Sequence, residues 1–593
     1  MSARRPLGRV LILLALAAAT WSAVTAISGG FELAALHVTS RDPYRPLLLA
    51  ALLLIAARAA LPSAEFQAVL MRTAGIGRGR LPARIALTAS LVALVFAIAW
   101  NTRAAGGSDS SCYVLQAQAF AGGRSALEPP LREAAPGLSP LALAPIGFVP
   151  APAPPHHAVP ICAPGLALVM VPAVLAGRDA VFFVVPVFAA LAVWCTFLLG
   201  RAVDDDVTGA CGAVLMACSP IFLYQSVQPM SDVPAAALWL AALVLLGPST
   251  GSSADDGSRG RQIVAGVCAS AAVLMRPNVA LIVLPLLVLL PGVRGWLRFG
   301  AASLPLLAVM AALNTARYGS PISSGYGDTG VLFSLAHVAP NLARYPRWLA
   351  ETHTPLIALA AAAPFIRARD SRQRRFVLVA AAAVALTLAT YLAYTVFDDW
   401  WYIRFLLPAI PVLLVFAVTV VRSAVAWRAP VTRVGRGAVL LIAALCAVAA
   451  GWFLHAARER SVFDLARLEA RFRITGEYAG RTLPPNAIVL AVQQSGSIRY
   501  YGGRGTLAWD AVPAGALSST IAWLSSHGYA PYIALEDVEE APFRSRFGSE
   551  LTGRLDWPPL AEVHAPVRVR IFDPSARARF GTGALVETEH VWK

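Results

Sequence analysis

Through the first 455 residues, long uncharged apolar runs alternate with short polar corners; after His455 the apolar runs shorten and charged residues interleave with them. Runs of roughly 15 to 22 residues have the length a helix needs to cross hydrocarbon. They fall at 10–28, 46–62, 85–101, 179–200, 207–227, 234–247, 262–275, 277–291, 299–314, 355–366, 376–396, 405–421 and 437–455, which predicts about 13 transmembrane helices. The first run also has the basic start and small residues of a signal peptide. A further apolar stretch, Ala163 to Leu175, is read as a re-entrant or interfacial helix, because counting it as a crossing would reverse every later corner. Between them, Tyr113 to Phe120 reads as a helix ended by Gly122-Gly123, and Pro140 to Pro164 lacks the period of helix or strand. Gly247 to Gly260 reads as a flexible linker.

The tail carries alternating helical and β-type patterns: a helix near 463–480, strands at 487–492 and 532–535, and a final pair within 560–572. The fold class expected is an α-helical polytopic membrane protein with a C-terminal extracytoplasmic α/β domain. Its parts are a transmembrane unit over 1–455, with large outer loops at 102–178 and 314–354, and a soluble unit over 456–593.

Composition agrees, at 57% hydrophobic, 14% charged and a mean hydropathy of +0.63. The net charge of +16 forms no patch, so nucleic acid is not a partner. With the N-terminus inside, the inner segments hold 22 arginines and the longer outer loops 11. That bias is the positive-inside pattern, and it places the corner after the third run and everything after His455 outside the cytoplasm. The lysine-poor, arginine-rich composition points to a GC-rich bacterial genome, so the membrane expected is a bacterial inner (cell) membrane. Five cysteines lie in apolar runs as packing residues, whereas Cys112 and Cys162 share the first outer loop, where a disulfide and two free thiols are both open.

No span carries a charge at its middle, which argues against an ion-coupled transporter. Polar residues gather instead at outer helix ends: Gly107-Ser108-Asp109, Gln228-Pro-Met-Ser-Asp232-Val-Pro234, Arg276-Pro277-Asn278 and Asp398-Asp399-Trp400-Trp401-Tyr402-Ile403-Arg404. A carboxylate at the mouth of a transmembrane helix can meet a lipid-linked substrate whose head sits at that depth. Sugar transfer from such a lipid needs a base for the acceptor hydroxyl and positive charge for the departing phosphate. Each element also has a plain structural reading: a self-bonded turn at Asp109, an N-cap at Ser231 or Asp232, an interfacial anchor at Arg276, and a solvated aromatic turn at Asp398 to Tyr402. His156-His157 and Glu351 with His353 resemble metal ligands in type alone.

The Gly-Ser-Asp turn, Pro164-Gly165 opening a helix, Ser-Asp-x-Pro at 231–234 and Trp-Tyr-x-Arg-Phe-x-x-Pro-x-x-Pro at 401–411 together resemble the C-superfamily glycosyltransferases, which include protein O-mannosyltransferases and aminoarabinose transferases. The likeness covers roughly residues 85–425. It implies a polyprenyl-phosphate sugar donor, an extracytoplasmic acceptor and an inverting transfer within membrane lipid. Carried over by position, it makes Asp109 the catalytic base and Asp232 the second acid of the catalytic site, with Arg404 a candidate for the lipid phosphate; the polar corners themselves add Arg276, Asp398 and Tyr402 as candidate substrate-binding residues. A divalent metal, magnesium or manganese, often serves that family; here Ser110 follows Asp109 where a second acid often stands, and the metal stays open. A flippase or a non-catalytic envelope assembly protein is the alternative; the first requires a continuous polar pathway and the second no pocket at Asp109.

Overall fold

The computed structural model describes residues 81–133, 135–154, 156–248, 256–327, 329–426, 436–583, 585 and 587–592, together with 31–33, 38–40, 42, 44–60 and isolated positions between 10 and 18. Strands β1 (Phe31–Leu33) and β2 (Val38–Ser40) pair antiparallel ahead of helix α1 (Tyr44–Ala60). Helix α2 (Leu81–Ala99) then leads into the long loop over 102–178, in which α3 (Gly107–Ala121), the two-stranded β3 (Phe148–Pro150) and β4 (Ala158–Pro160), and α4 (Pro164–Ala176) follow in order. The bundle continues through α5 (Val184–Val203), α6 (Asp206–Cys218), α7 (Pro220–Ser226), α8 (Asp232–Leu245), α9 (Asp256–Met275), α10 (Gly292–Tyr318), α11 (Val338–His353), α12 (Ser371–Leu392), α13 (Ile410–Ala426) and α14 (Arg436–Glu459).

Every run from 85–101 onward coincides with helical structure, but the count of thirteen crossings is not reached. Among the described residues five helices are long and apolar enough to cross a membrane, or seven if two bent pairs each make one span. The difference is physical. The 234–247 run forms a 14-residue helix, 277–291 breaks into short α and 3-10 pieces, and 355–366 is an 11-residue 3-10 segment. The 46–62 run corresponds to the 17-residue α1, and the 10–28 run lies largely outside the described residues; of the expected 247–260 linker, 249–255 lie outside them and 256–260 are helical, as the start of α9. The proline-rich wall is less irregular than expected, since β3 and β4 form within it.

The two bends position the site. Ser219 sits before Pro220 with extended ψ, since proline disfavours the helical well for its predecessor, and α6 and α7 meet at 61°. Pro408 likewise supplies no backbone N–H, and the 3-10 segment Trp400–Leu406 turns 85° against α13, so Arg404 lies across the bundle rather than along it. Gly165 is the close approach that seats α4 on the end of α9: a Cβ there would stand 2.5 Å from the Leu274 backbone. Residues read as inner corners also gather at a common place, with Arg422 on Asp204 and Asp205, Arg369 on Asp204, and Arg201 on Asp206. The apolar helices make this a multi-pass membrane protein.

The C-terminal region has α15 (Ala470–Thr482), β5 (Ala487–Leu490), β6 (Gly505–Leu507), α16 (Leu517–Ser526), β7 (Ala530–Glu536), α17 (Asp537–Phe547), β8 (Ala561–Val563), β9 (Val569–Phe572), α18 (Pro574–Gly581) and β10 (Glu589–Val591). Its mixed sheet runs β10-β8-β9-β7-β5-β6, with β5 parallel to β6 and β7, and β9 antiparallel to β7 and β8. Alternate residues bury on opposite faces: Ile488, Leu490, Ile533 and Leu535 on one, Val489, Ala491 and Ala534 on the other, so both faces are covered.

Candidate functional site

The site is built where α3, α8, the end of α9 and the 400–406 segment converge. Asp109 lies in the first turn of α3, where the helix dipole favours a carboxylate, but its side chain caps nothing there. It accepts a hydrogen bond from Arg404 Nη2 at 2.8 Å, across 295 residues of sequence. Asp232 opens α8 two residues before Pro234. Ser231, the cap position, makes no side-chain cap bond; its hydroxyl shares a 2.7 Å bond with Tyr113 of α3 instead. Asp232 is 2% exposed and pairs with Arg276. The Arg276 guanidinium in turn lies 5.5 Å from the Phe405 ring centroid. Self-bonded turn, N-cap and free anchor are therefore not what these residues do.

Arg404 joins the two pairs. It holds Asp109, lies within electrostatic reach of Asp232, and spreads over the Phe405 and Tyr402 rings at 5.2 and 5.6 Å. Its Nε is buried without a hydrogen-bond partner. Leaving a charged donor so unsatisfied costs about 1–3 kcal/mol, which an oxyanion ligand would recover. Arg404, Arg276 and Asp232 line a narrow cleft together with Asn278, Tyr391 and Phe405. Asp109 stands beside this cleft, behind Arg404, with 30% of its side chain exposed.

The remaining expected residues divide. Tyr402 stacks on Phe397 at 3.8 Å and forms the aromatic floor under Arg404. Asp398 is 87% exposed, pairs with Arg344 at 2.5 Å and does not line the cleft. Glu351 binds Arg347 and Arg460, and His353 is buried against Ser219 at 2.7 Å and Thr352 at 2.8 Å, so this pair is not assembled as metal ligands. Two tyrosines that motif reading passed over belong to the cluster. Burial, then the Asp109 charge, pushes the Tyr113 phenol up to about 12, and the same two causes raise Tyr326, so both stay neutral phenols. The signal for Tyr113 was its place one turn after Asp109 on the same helical face.

Cys112 and Cys162 are joined by a disulfide, which ties α3 to the start of α4. The C-terminal region seats directly on this loop. A Cβ at Gly106 would overlap Phe472 and one at Gly496 would overlap Ser111, while Tyr501 Oη accepts from the Ala105 N–H at 2.9 Å and donates to the Arg103 carbonyl at 2.8 Å.

A divalent metal fits these residues poorly. Each carboxylate is already matched one to one by a guanidinium, and among the described residues no third acid or imidazole joins Asp109 and Asp232 in a ligand group.

One buried and one half-buried acid, each with its own arginine, thus stand together at the ends of apolar helices. Residues 162–272 match the family model described as oligosaccharyl transferase STT3, N-terminal. The matched segment runs from the start of α4 into α9 and includes Asp232. The match agrees, over that segment, with the resemblance to the C-superfamily membrane glycosyltransferases; no particular member is singled out.

No curated protein matches the chain. Among solved structures, ArnT from Cupriavidus metallidurans in the apo state is similar with a TM-score of 0.47 at 13% identity, over 83% of this chain and 97% of that one. The same protein bound to undecaprenyl phosphate gives 0.49 at 13% identity over the same shares. The archaeal oligosaccharyltransferase AglB from Archaeoglobus fulgidus, in complex with an inhibitory peptide and a dolichol-phosphate, gives 0.47 at 13% identity over 79% and 71%.

Proposed function

We propose that this protein transfers a sugar from a polyprenyl-phosphate donor to a hydroxyl-bearing acceptor outside the cytoplasm, with inversion at the anomeric carbon. The observation that carries the reading is the doubled carboxylate–arginine arrangement, in which Arg404 bridges towards both acids and keeps one buried donor unspent. In this reading Asp109 Oδ1, the oxygen not held by Arg404, takes the acceptor proton as the acceptor oxygen bonds to C1. The bond from C1 to the phosphate oxygen breaks in the same step, and Arg404 and Arg276 receive the charge that develops on the released polyprenyl phosphate. Asp232 holds Arg276 in place. Tyr402 and Phe405 supply an apolar floor beneath the head group. The guanidiniums provide the positive charge, and no step runs through a metal.

The positive-inside pattern supports a cytoplasmic N-terminus in a bacterial cell membrane, with the outer loops at 102–178 and 314–354 and the region 456–593 on the far side as a separate domain. The disulfide supports the same sidedness, since it belongs to an oxidising compartment. Its seat on the loop of Asp109 makes the C-terminal region the natural wall for the acceptor.

The test is sugar transfer by Asp109→Asn at unchanged protein level. Removing a general base costs about 10²- to 10⁴-fold. Normal transfer by this variant ends the assignment.

A further inference from the structure

A group of side chains far along the chain from Asp109 has the composition of a metal site. Glu562 lies on β8, and His590 on β10 stands opposite it in the parallel register of the two strands. His564 follows Glu562 by two residues and so projects on the same face, its backbone N–H donating to the Val591 carbonyl at 2.9 Å. His564 Nε2 and His590 Nδ1 are 2.8 Å apart, and Glu562 Oε2 lies 3.8 and 3.7 Å from them. Zinc–nitrogen bonds of about 2.0–2.1 Å at tetrahedral angles separate ligand atoms by about 3.3–3.4 Å. The three separations here bracket that value, so shifts of about half an ångström would complete the geometry.

The surroundings fix the ligands. Glu562 spends Oε1 on Arg570 at 3.0 Å and on Arg568 at 3.5 Å, which leaves Oε2 turned to the imidazoles. Those arginines are themselves countered, Arg568 by Asp537 at 3.2 Å and Arg570 by Glu540, so their charge is not directed unopposed at the site. Trp592 stacks flat on His564 at 4.0 Å and orients its ring. His590 is 56% exposed on its side chain, so a fourth position opens to solvent.

We propose that Glu562, His564 and His590 bind a divalent transition-metal ion of the zinc class, with water or a carboxylate of a partner molecule as the fourth ligand. The mixed nitrogen and oxygen set selects zinc or cobalt over calcium or magnesium. The ion clips β10, the last strand, to β8 and is independent of the sugar-transfer site.

The experiment is a Co²⁺ titration of the full chain in detergent after chelator treatment, read by visible absorption, followed by displacement with Zn²⁺. One equivalent of Co²⁺ should bind with the strong bands of four-coordinate cobalt and be displaced by Zn²⁺, and His590→Ala and His564→Gln should each weaken binding at least 10-fold. Asp109→Asn should bind like the native protein, which separates this site from the one proposed for transfer. Native protein that takes up no Co²⁺ at tens of micromolar, or binding unchanged in both histidine variants, overturns the proposal. So does loss of binding in Asp109→Asn.

Discussion

Arg404→Lys isolates what the guanidinium contributes beyond its charge. Lysine keeps the positive charge beside Asp109 and Asp232 but replaces a planar fork with a single ammonium. The native residue makes one charge-assisted hydrogen bond to Asp109 at 2.8 Å and holds a second donor, Nε, buried and unpartnered. In the lysine variant these two directions cannot both be served. A hydrogen bond to a charged group contributes about 1.5–3 kcal/mol, and each 1.36 kcal/mol is tenfold in rate or binding. Transfer efficiency should therefore fall about 10- to 150-fold, and inhibition by free polyprenyl phosphate should weaken by a similar factor if the unspent donor meets the phosphate. Steady-state kinetics in detergent micelles, with polyprenyl phosphate as competitor, measure both. Because charge is conserved, protein yield and unfolding temperature should not change. A lysine variant with native transfer and native product inhibition would refute the phosphate role of Arg404.

Asp232→Asn should leave Arg276 as an uncompensated, largely buried charge, lowering stability by about 3–5 kcal/mol in thermal unfolding; pairing it with Arg276→Gln should recover part of that, and an unchanged single variant would show the pair to be slack. Replacing Cys112 and Cys162 by serine opens a loop of 50 residues and should cost up to about 4 kcal/mol, read as earlier proteolysis between α3 and α4; native protein should show no thiol reactivity at either position without reductant. Burial, as the first cause, raises Glu539 from 4.5 to about 6, so its protonated form is favoured by folding. The resulting stability, about 2 kcal/mol, is full below pH 4.5 and is lost as pH rises through 6; Glu539→Gln should flatten that slope in unfolding followed by tryptophan fluorescence.

Much of the layout was legible because bilayer helices must be apolar along their whole length. The stretch at 163–175 appears as α4, and the strands at 487–492, 532–535 and 560–572 appear within a residue or two of their expected places. What periodicity could not carry was shape. A run such as 405–421 looks like one span, yet prolines turn the chain by 85° just where Arg404 must point inward. Hydropathy registers neither the bends nor the 3-10 pieces, which is why the crossings were overcounted. At the site, the residue types were visible as polar corners, but the partnerships were not: Asp109 with Arg404 and Tyr113 with Ser231 are contacts across 295 and 118 positions. Asp398 had the same polar-corner signature and does not line the cleft. The histidines at 564 and 590 were missed because β10 is only three residues long and leaves little alternation to detect.

The seat of the C-terminal region on the Asp109 loop has a consequence for how the protein is made. Phe472, Gly496 and Tyr501 emerge from the ribosome more than 350 residues after Gly106, Ser111 and Ala105, to which they fit. In the proposed topology the loop bearing the carboxylate waits on the far side of the membrane, half supported, until the C-terminal region has been threaded through. If the proposed transfer holds, competence for chemistry arrives only once that region is in place, and a copy truncated before it would sit in the membrane without consuming the proposed donor.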